Sequence, residues 1–308
     1  MNLEGEYKCG YYISPEQKRI NAVYLDLLNT FDSLCARAGL TYWLYGGALI
    51  GAVRHKGFIP WDDDVDLIMP RADFDRLQAM TNADFGAGAP YFLQNFTTDP
   101  GCAQSLIRFR RSDTADIRDY DLSYARSHPG QPPYNMGINL AVFPLDSLPE
   151  SALVRKLQAK AAYALRGVFY RAILPDPAKP AQHALCALIC RVLGEMNMMK
   201  LIHWLYRAPK RVCADRLQSF DGLYDCGLIW SAKLFRETVL LPFEDILVPA
   251  PVGYHEFLTV TYGDYMQLPP EEKRVAPHDG HTDPAAPYPA VLEALLSGKD
   301  PADGRAEA

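Results

Sequence analysis

Leu44–Pro70 reads LYGGALIGAVRHKGFIPWDDDVDLIMP, and its punctuation decides the fold. Two short apolar runs, Thr41–Tyr45 and Val65–Met69, are bounded by breakers and rich in aromatic or β-branched residues, the pattern of strands. Gly46-Gly47 follows the first run directly, and without Cβ atoms the backbone there admits a ligand at close range. Ala48–Arg54 reads as one or two helical turns whose N-terminal amides point at that ligand. The second run grows out of Asp62-Asp63-Asp64 and alternates, so Asp64 and Asp66 share one face and Val65 and Leu67 the other. Two carboxylates spaced in this way form a hard-oxygen site for a divalent cation, most simply Mg2+ (or Mn2+). A glycine turn, a cation site and Arg54-His55-Lys56 between them point to phosphoryl chemistry.

The composition places this stretch in an ordinary globular protein. At 308 residues, with 49% hydrophobic and 22% charged residues, the chain is long enough for a sizeable core. A net charge of −6 argues against nucleic-acid binding. The seven cysteines are scattered without a CxxC pair, so neither a disulfide framework nor a zinc site is indicated. The N-terminus MNLEGEYKCGYY lacks a basic-then-apolar leader, and no apolar run reaches the ~20 residues needed to span a bilayer; both point to a cytoplasmic protein.

Gly46-Gly47 followed by Asp64-Val65-Asp66-Leu67 resembles the signature of the nucleotidyltransferase fold. The longer string GALIGAVRHKGFIPWDDDVDL resembles the LicD-type phosphotransferases, relatives of fukutin and fukutin-related protein. The resemblance implies an α+β protein, a nucleotidyltransferase-like mixed sheet flanked by helices, with an inserted basic helical subdomain. It covers roughly 40–146 and 228–274. The chain then divides into a core at 1–150, a basic helical insertion at 151–227, a segment at 228–279 that closes back on the core, and a Pro/Ala-rich tail at 280–308 with a disordered end.

Outward from the central stretch, Ser14-Pro15-Glu16-Gln17 starts a helix, with serine as cap and glutamine placed to complete a capping box. Ile20, Val23, Tyr24, Leu27, Leu28, Phe31, Leu34 and Cys35 continue it at helical spacing to Gly39. Ala72–Met80 reads as a helix with Phe74 and Leu77 inward, and Tyr91–Phe96 and Ser105–Phe109 as strands. Arg108 and Arg110 are either solvated edge charges or partners of a diphosphate. Arg111–His128, polar and rich in aspartate, is expected to be a mobile loop over the site. Gly137–Leu145 is a strand closed by Pro144. Relatives carry an aspartate before I-F-P here; aligning on F-P-L-D puts Ala141 at that position, leaving Asn139 and Asp146 as the nearest alternatives.

Ser151–Arg216 is Leu- and Ala-rich, helical and basic, with twelve Lys or Arg against Asp176, Glu195 and Asp215. Such a segment is either a set of core helices with solvated cations or a peripheral contact to an anionic membrane face. Tyr262-Gly263-Asp264 resembles the end of the family's closing helix, with Gly263 as its C-cap, and Tyr262 and Asp264 either contact substrate or pack.

By resemblance, the family moves a phosphorylated alcohol such as phosphocholine or a polyol phosphate from a CDP-activated donor to a sugar hydroxyl of a surface glycan or glycolipid. Asp64 and Asp66 would then hold the cation, and Gly46 and Gly47 would offer amides to phosphate. Arg54 and Lys56 would stabilise charge on the transferred group, and His55 would orient a phosphate or cap the turn. Asp66 or Asp63 would take the acceptor proton. Tyr42, Trp43, Tyr45 and Trp61 are candidates for a choline contact or for the core. Two other readings use the same fold: a catalytically impaired nucleotide- or glycan-binding protein, and nucleotidyl transfer from an NTP.

Overall fold

The computed structural model describes residues 1–85, 88–99, 101–102, 104–131, 133–173, 178–207, 212–220, 228–299 and 301. A hairpin of β1 (Glu6–Lys8) and β2 (Tyr11–Ile13) leads into α1 (Pro15–Ala38). Ser14 caps this helix, its hydroxyl accepting from the Gln17 amide at 3.1 Å, and Gly39 closes it in the left-handed region at φ 60°. The Gln17 side chain donates forward to Asn21 (3.0 Å) instead of returning to the cap. Leu27, Leu28, Phe31, Leu34 and Cys35 are buried, as their spacing predicts.

The helix delivers the chain to β3 (Trp43–Tyr45), α2 (Gly46–Ile50), a π-helical turn Gly51–His55, and β4 (Val65–Pro70). After α3 (Arg71–Gln78) come β5 (Tyr91–Gln94), β6 (Ile107–Arg111), β7 (Ala115–Arg118), α4 (Asp119–Ser127) and β8 (Ile138–Pro149). The long β8 organises the sheet. Its first half lies parallel to β4 on one side and antiparallel to β6 on the other, while its last residues pair with β9 (Val212–Gln218). β3 and β5 extend the two flanks, and β10 (Trp230–Ser231) lies beyond β9. Mixed pairing with helices against the sheet makes an α+β fold, as expected. Pro144 does not end β8: it sits opposite Met69 and the strand runs on to Pro149.

Between β8 and β9 stand α5 (Ala152–Ile173), α6 (Pro180–Leu193) and α7 (Glu195–Tyr206), packed around Phe169, Met198, Ile202 and Tyr206. The helical reading of 151–216 thus fails at its end, where Val212 onward joins the sheet. The chain continues through the hairpin β11 (Thr238–Phe243) and β12 (Ile246–Pro251), then α8 (Tyr254–Tyr262), β13 (Gly280–Asp283) and α9 (Tyr288–Leu296). Arg111–His128 is not a loose loop. β7 pairs with β13, and α9 covers a small core of Ala115, Ile117, Met136 and Leu292. Its buried aspartates are engaged: Asp121 accepts from the Arg118 amide (3.0 Å) and the Tyr134 hydroxyl, and Asp116 is buried among Arg118, Asn139 and Thr282. The expected disordered end at 302–308 lies outside the described residues, as does part of the loop expected at 176–180.

Candidate active site

The glycine pair and the acidic strand meet where β3 and β4 run side by side, with Tyr45 opposite Asp66. Gly46 holds a left-handed φ of 54°, and a Cβ there would stand 3.3 Å from Asp66 Oδ2 and 3.8 Å from the Tyr262 hydroxyl. Gly47 needs its bare Cα for a different reason. A Cβ there would overlap Asp62 Oδ2 and lie 3.3 Å from Asp62 Cγ. The turn is therefore the surface on which carboxylates crowd, as close approach to glycine allows.

Along β4, Val65 and Leu67 are buried in the core and Asp66 faces the other way; Asp62 and Asp64 lie on the approach to the strand, and all three acids are half-buried. All three carboxyls are pushed above the usual range, first by burial: Asp64 and Asp63 then add to the rise of Asp62, and Asp64 and Asp62 to that of Asp66, while Asp64 is drawn back by His278 and raised further by Asp63. Arg108 pulls Asp66 the other way. Carboxylates that resist ionising together in this manner fit a divalent cation, whose charge removes the repulsion and whose preference for oxygen they meet.

Asp63 faces elsewhere. Arg118 bonds its Oδ2 at 2.9 Å and His278 Nδ1 its Oδ1 at 2.8 Å. Burial works against ionisation of Asp63, but His278 and Arg118 outweigh it and hold the carboxyl below its ordinary value. His278 also lies 3.7 Å from Asp64 Oδ2, and its own pKa is raised, chiefly by the bond to Asp63. Asp63, Asp64 and His278 each offer a ligand atom within 4.8 Å of the others.

One register line crosses the sheet: Asp66 on β4 is opposite Ala141 on β8, which is opposite Arg108 on β6. Ala141 thus stands beside Asp66, in the place expected for a third acid. Neither suggested substitute is available to a cation. Asn139 accepts from Arg108 at 2.7 Å and donates to Asp116 at 3.2 Å. Asp146 is buried in a bidentate pair with Arg71 at 2.6 and 2.9 Å. Arg108 itself is on the acidic row and also reaches the Tyr120 hydroxyl (3.5 Å). Arg110 is buried, its guanidinium bonded to Gln94 at 2.6 Å and to the Gly137 carbonyl.

The basic triplet divides. Arg54 donates to the Tyr265 carbonyl (2.7 Å) and the Gln267 carbonyl (3.2 Å), tying the helical turn to the segment after α8. His55 accepts from Arg54 Nε at 2.9 Å, lies beside Cys9 and Trp61, and is held down to about 4 by burial, then by Arg54 and Lys8. It is a neutral spacer under Arg54. Lys56, in the left-handed region at φ 58°, has an exposed side chain. Tyr262, Asp264, Arg54 and Arg274 line an open cleft of about 470 Å³, and Tyr262 joins that cleft to the glycine turn. The four aromatic candidates are core residues: Tyr42 packs on Phe31, Trp43 on Phe235, Tyr45 on Phe143, and Trp61 beneath Arg274. Sequence reasoning missed Asp62, which the same alternation contains, and Arg118 and His278, for which the sequence holds no local signal.

Comparison with known proteins agrees with this geometry. Residues 39–129, which span the glycine turn, the acids and Arg118, match the LicD/FKTN/FKRP nucleotidyltransferase domain. The chain is 29% identical over 262 residues to the lipopolysaccharide cholinephosphotransferase LicD of Haemophilus influenzae, covering 83% of this chain and 93% of that protein. It is 46% identical over 50 residues to the ribitol 5-phosphate transferase FKRP of mouse and of human, 16% of this chain and 10% of FKRP. The chain thus carries a segment similar to the LicD/FKTN/FKRP nucleotidyltransferase domain, and it is similar to proteins named for the transfer of two different phosphorylated alcohols.

Proposed function

We propose that the protein transfers a phosphorylated alcohol, phosphocholine or a polyol phosphate, from a CDP-activated donor to a sugar hydroxyl of a cell-surface glycan or glycolipid, acting from the cytoplasmic side. The observation that carries the reading is the set Asp62, Asp64 and Asp66: Asp66 and Asp62 stand against Gly46 and Gly47, and Asp64 opposes the ionisation of both. Asp64 and Asp66, with Asp62 beside them, would hold Mg2+ or Mn2+, which when bound neutralises the donor diphosphate and eases departure of the nucleotide.

The remaining chemistry falls to the chain's own side chains. The acceptor oxygen forms a bond to the phosphorus that bears the alcohol, the bond from that phosphorus to the CMP oxygen breaks, and CMP leaves. The acceptor proton goes to His278 Nε2. Both oxygens of Asp63 are engaged, so Asp63 acts through the ring, holding Nδ1–H and thereby the tautomer in which Nε2 accepts. Arg118 keeps Asp63 ionised and in place. Arg108, on the Asp66 row, opposes negative charge that builds on the transferred group. Tyr262 and the cleft beside it accept the part of the substrate beyond the diphosphate.

Ala141 beside Asp66 favours a second reading, a protein that binds donor without turning it over. Incubation with CDP-choline, CDP-ribitol, CDP-glycerol and NTPs in the presence of Mg2+ separates the possibilities. CMP release from a CDP-alcohol supports the transfer. Pyrophosphate release from an NTP assigns nucleotidyl transfer instead, and donor binding with no CMP across a panel of glycan acceptors assigns the binding protein.

A further inference from the structure

The helices α5, α6 and α7 turn one face inward to their shared core and leave the other uncovered. That outer face is apolar. Leu153 and Leu157 lie one turn apart on α5, Leu188 and Val192 on α6, and Leu201 and Trp204 on α7. Leu157 is 59% exposed, Leu188 57%, Val192 75% and Trp204 65%. α6 has apolar residues on both sides, with Arg191 as its one charged residue, whereas a surface helix ordinarily keeps a polar outer face. Soluble monomers seldom leave so much large apolar side chain uncovered in one subdomain.

The charges within this face say what covers it. Each apolar pair has an exposed cation within a turn: Lys156 and Lys160 on α5, Arg191 on α6 and Lys200 on α7. Across 151–207 there are nine Lys or Arg against Asp176 and Glu195. We propose that the outer face of α5–α7 lies flat on an anionic lipid surface, with its leucines, Val192 and Trp204 in the boundary of the acyl layer and its lysines and arginines among the lipid phosphates. A second copy of the chain would set the same cations face to face, whereas an anionic bilayer complements them. None of the described helices is long and apolar enough to cross a membrane, so the contact is peripheral. Trp204 suits the interface, where an indole keeps one edge wet. The inference rests on this face alone and needs neither donor nor acceptor.

Trp204 also supplies the test, because the other three tryptophans, Trp43, Trp61 and Trp230, are buried. The full-length protein is mixed with phosphatidylglycerol/phosphatidylcholine vesicles, followed by tryptophan emission and co-sedimentation. The expected result is a blue shift and pelleting with these vesicles at low salt, about tenfold weaker on phosphatidylcholine alone and lost as salt screens the lipid charge. Lys156→Glu with Lys160→Glu should weaken binding at least about tenfold. Leu188→Ser with Val192→Ser should do the same without lowering Tm, since both side chains already face water. Failure to pellet or shift on anionic vesicles at low salt overturns the proposal. So does a concentration-dependent dimer in light scattering that Leu188→Ser with Val192→Ser dissolves while vesicle binding is unchanged, which assigns the face to a second copy.

Discussion

Gly47→Ala separates the fold from the chemistry more cleanly than removal of an acid. Gly47 lies within α2 and has no positive φ, so alanine meets no backbone strain and gains up to about 1 kcal/mol of helix propensity. Against that gain, the new methyl overlaps Asp62 Oδ2, with Cγ 3.3 Å away. The carboxylate is the far end of a rotatable side chain, so it swings aside by about 1 Å or more rather than displacing backbone, at a cost on the order of 1 kcal/mol. Leaving the company of Asp64 also relieves part of the repulsion that now raises the Asp62 pKa. The net change in stability is expected within about 1 kcal/mol, a Tm shift of roughly 2–4 °C in either direction. The acid set, by contrast, loses a member. Thermal melts with and without Mg2+ should show the cation-dependent rise in Tm shrinking, and CMP release from the best donor should fall at least about tenfold, or ~1.4 kcal/mol. Parental turnover and parental Mg2+ response with an unaltered melt would show that Asp62 has no part in the site, and a collapse of the fold would show that its side chain cannot swing.

Asp66→Asn should raise the Tm of the cation-free protein by removing one of three crowded carboxylates, while abolishing the rise caused by Mg2+; a lower Tm without metal would mean that Asp66 is a structural acceptor. His278→Gln should lower kcat with little change in KM or in the Mg2+-dependent melt, whereas an unchanged kcat would move the acceptor proton elsewhere. Ala141→Asp, opposite Asp66, should tighten Mg2+ binding measured calorimetrically, and no change would mean that Arg108, across the next strand, captures the new acid. His203, buried among Phe74, Phe96 and Tyr206 and held down to about 3 by burial and then by Arg71 and Arg207 against Asp75, stays neutral in the fold; between pH 6.5 and about 3 only the unfolded chain takes up its proton, so stability falls as pH falls. His203→Phe should remove up to about 5 kcal/mol of that acid sensitivity at ~1.4 kcal/mol per pKa unit, visible as a flatter plot of Tm against pH.

The particular residues show how far the sequence could be read. Gly46-Gly47 and the alternation through Asp66 are local patterns, and local patterns place β3, the turn and β4. Ala141 was also legible, because a six-residue parallel register fixes Asp66 against it once F-P-L-D is aligned. The basic triplet was not. Whether Arg54 faces a phosphate or the Tyr265 carbonyl depends on a segment some two hundred residues away. Arg118 and His278 converge on Asp63 from widely separated parts of the chain, through the β7–β13 pairing that no periodicity announces. The acid-rich stretch around Asp116 reads as a loop because charge normally means solvent, yet here each buried carboxylate has its donor. The aromatic residues on β3 went to the core, where flat strand faces take them.

The most direct test of the account is the binding of CDP to the resting protein, measured calorimetrically with Mg2+ and again with EDTA, in the parent and in Asp64→Asn. If Asp62, Asp64 and Asp66 serve a donor diphosphate through a shared cation, CDP binds the parent in Mg2+, binds at least about tenfold more weakly in EDTA, and shows no Mg2+ dependence in Asp64→Asn. Equal affinity in Mg2+ and EDTA, or an undiminished Mg2+ effect in Asp64→Asn, would contradict it.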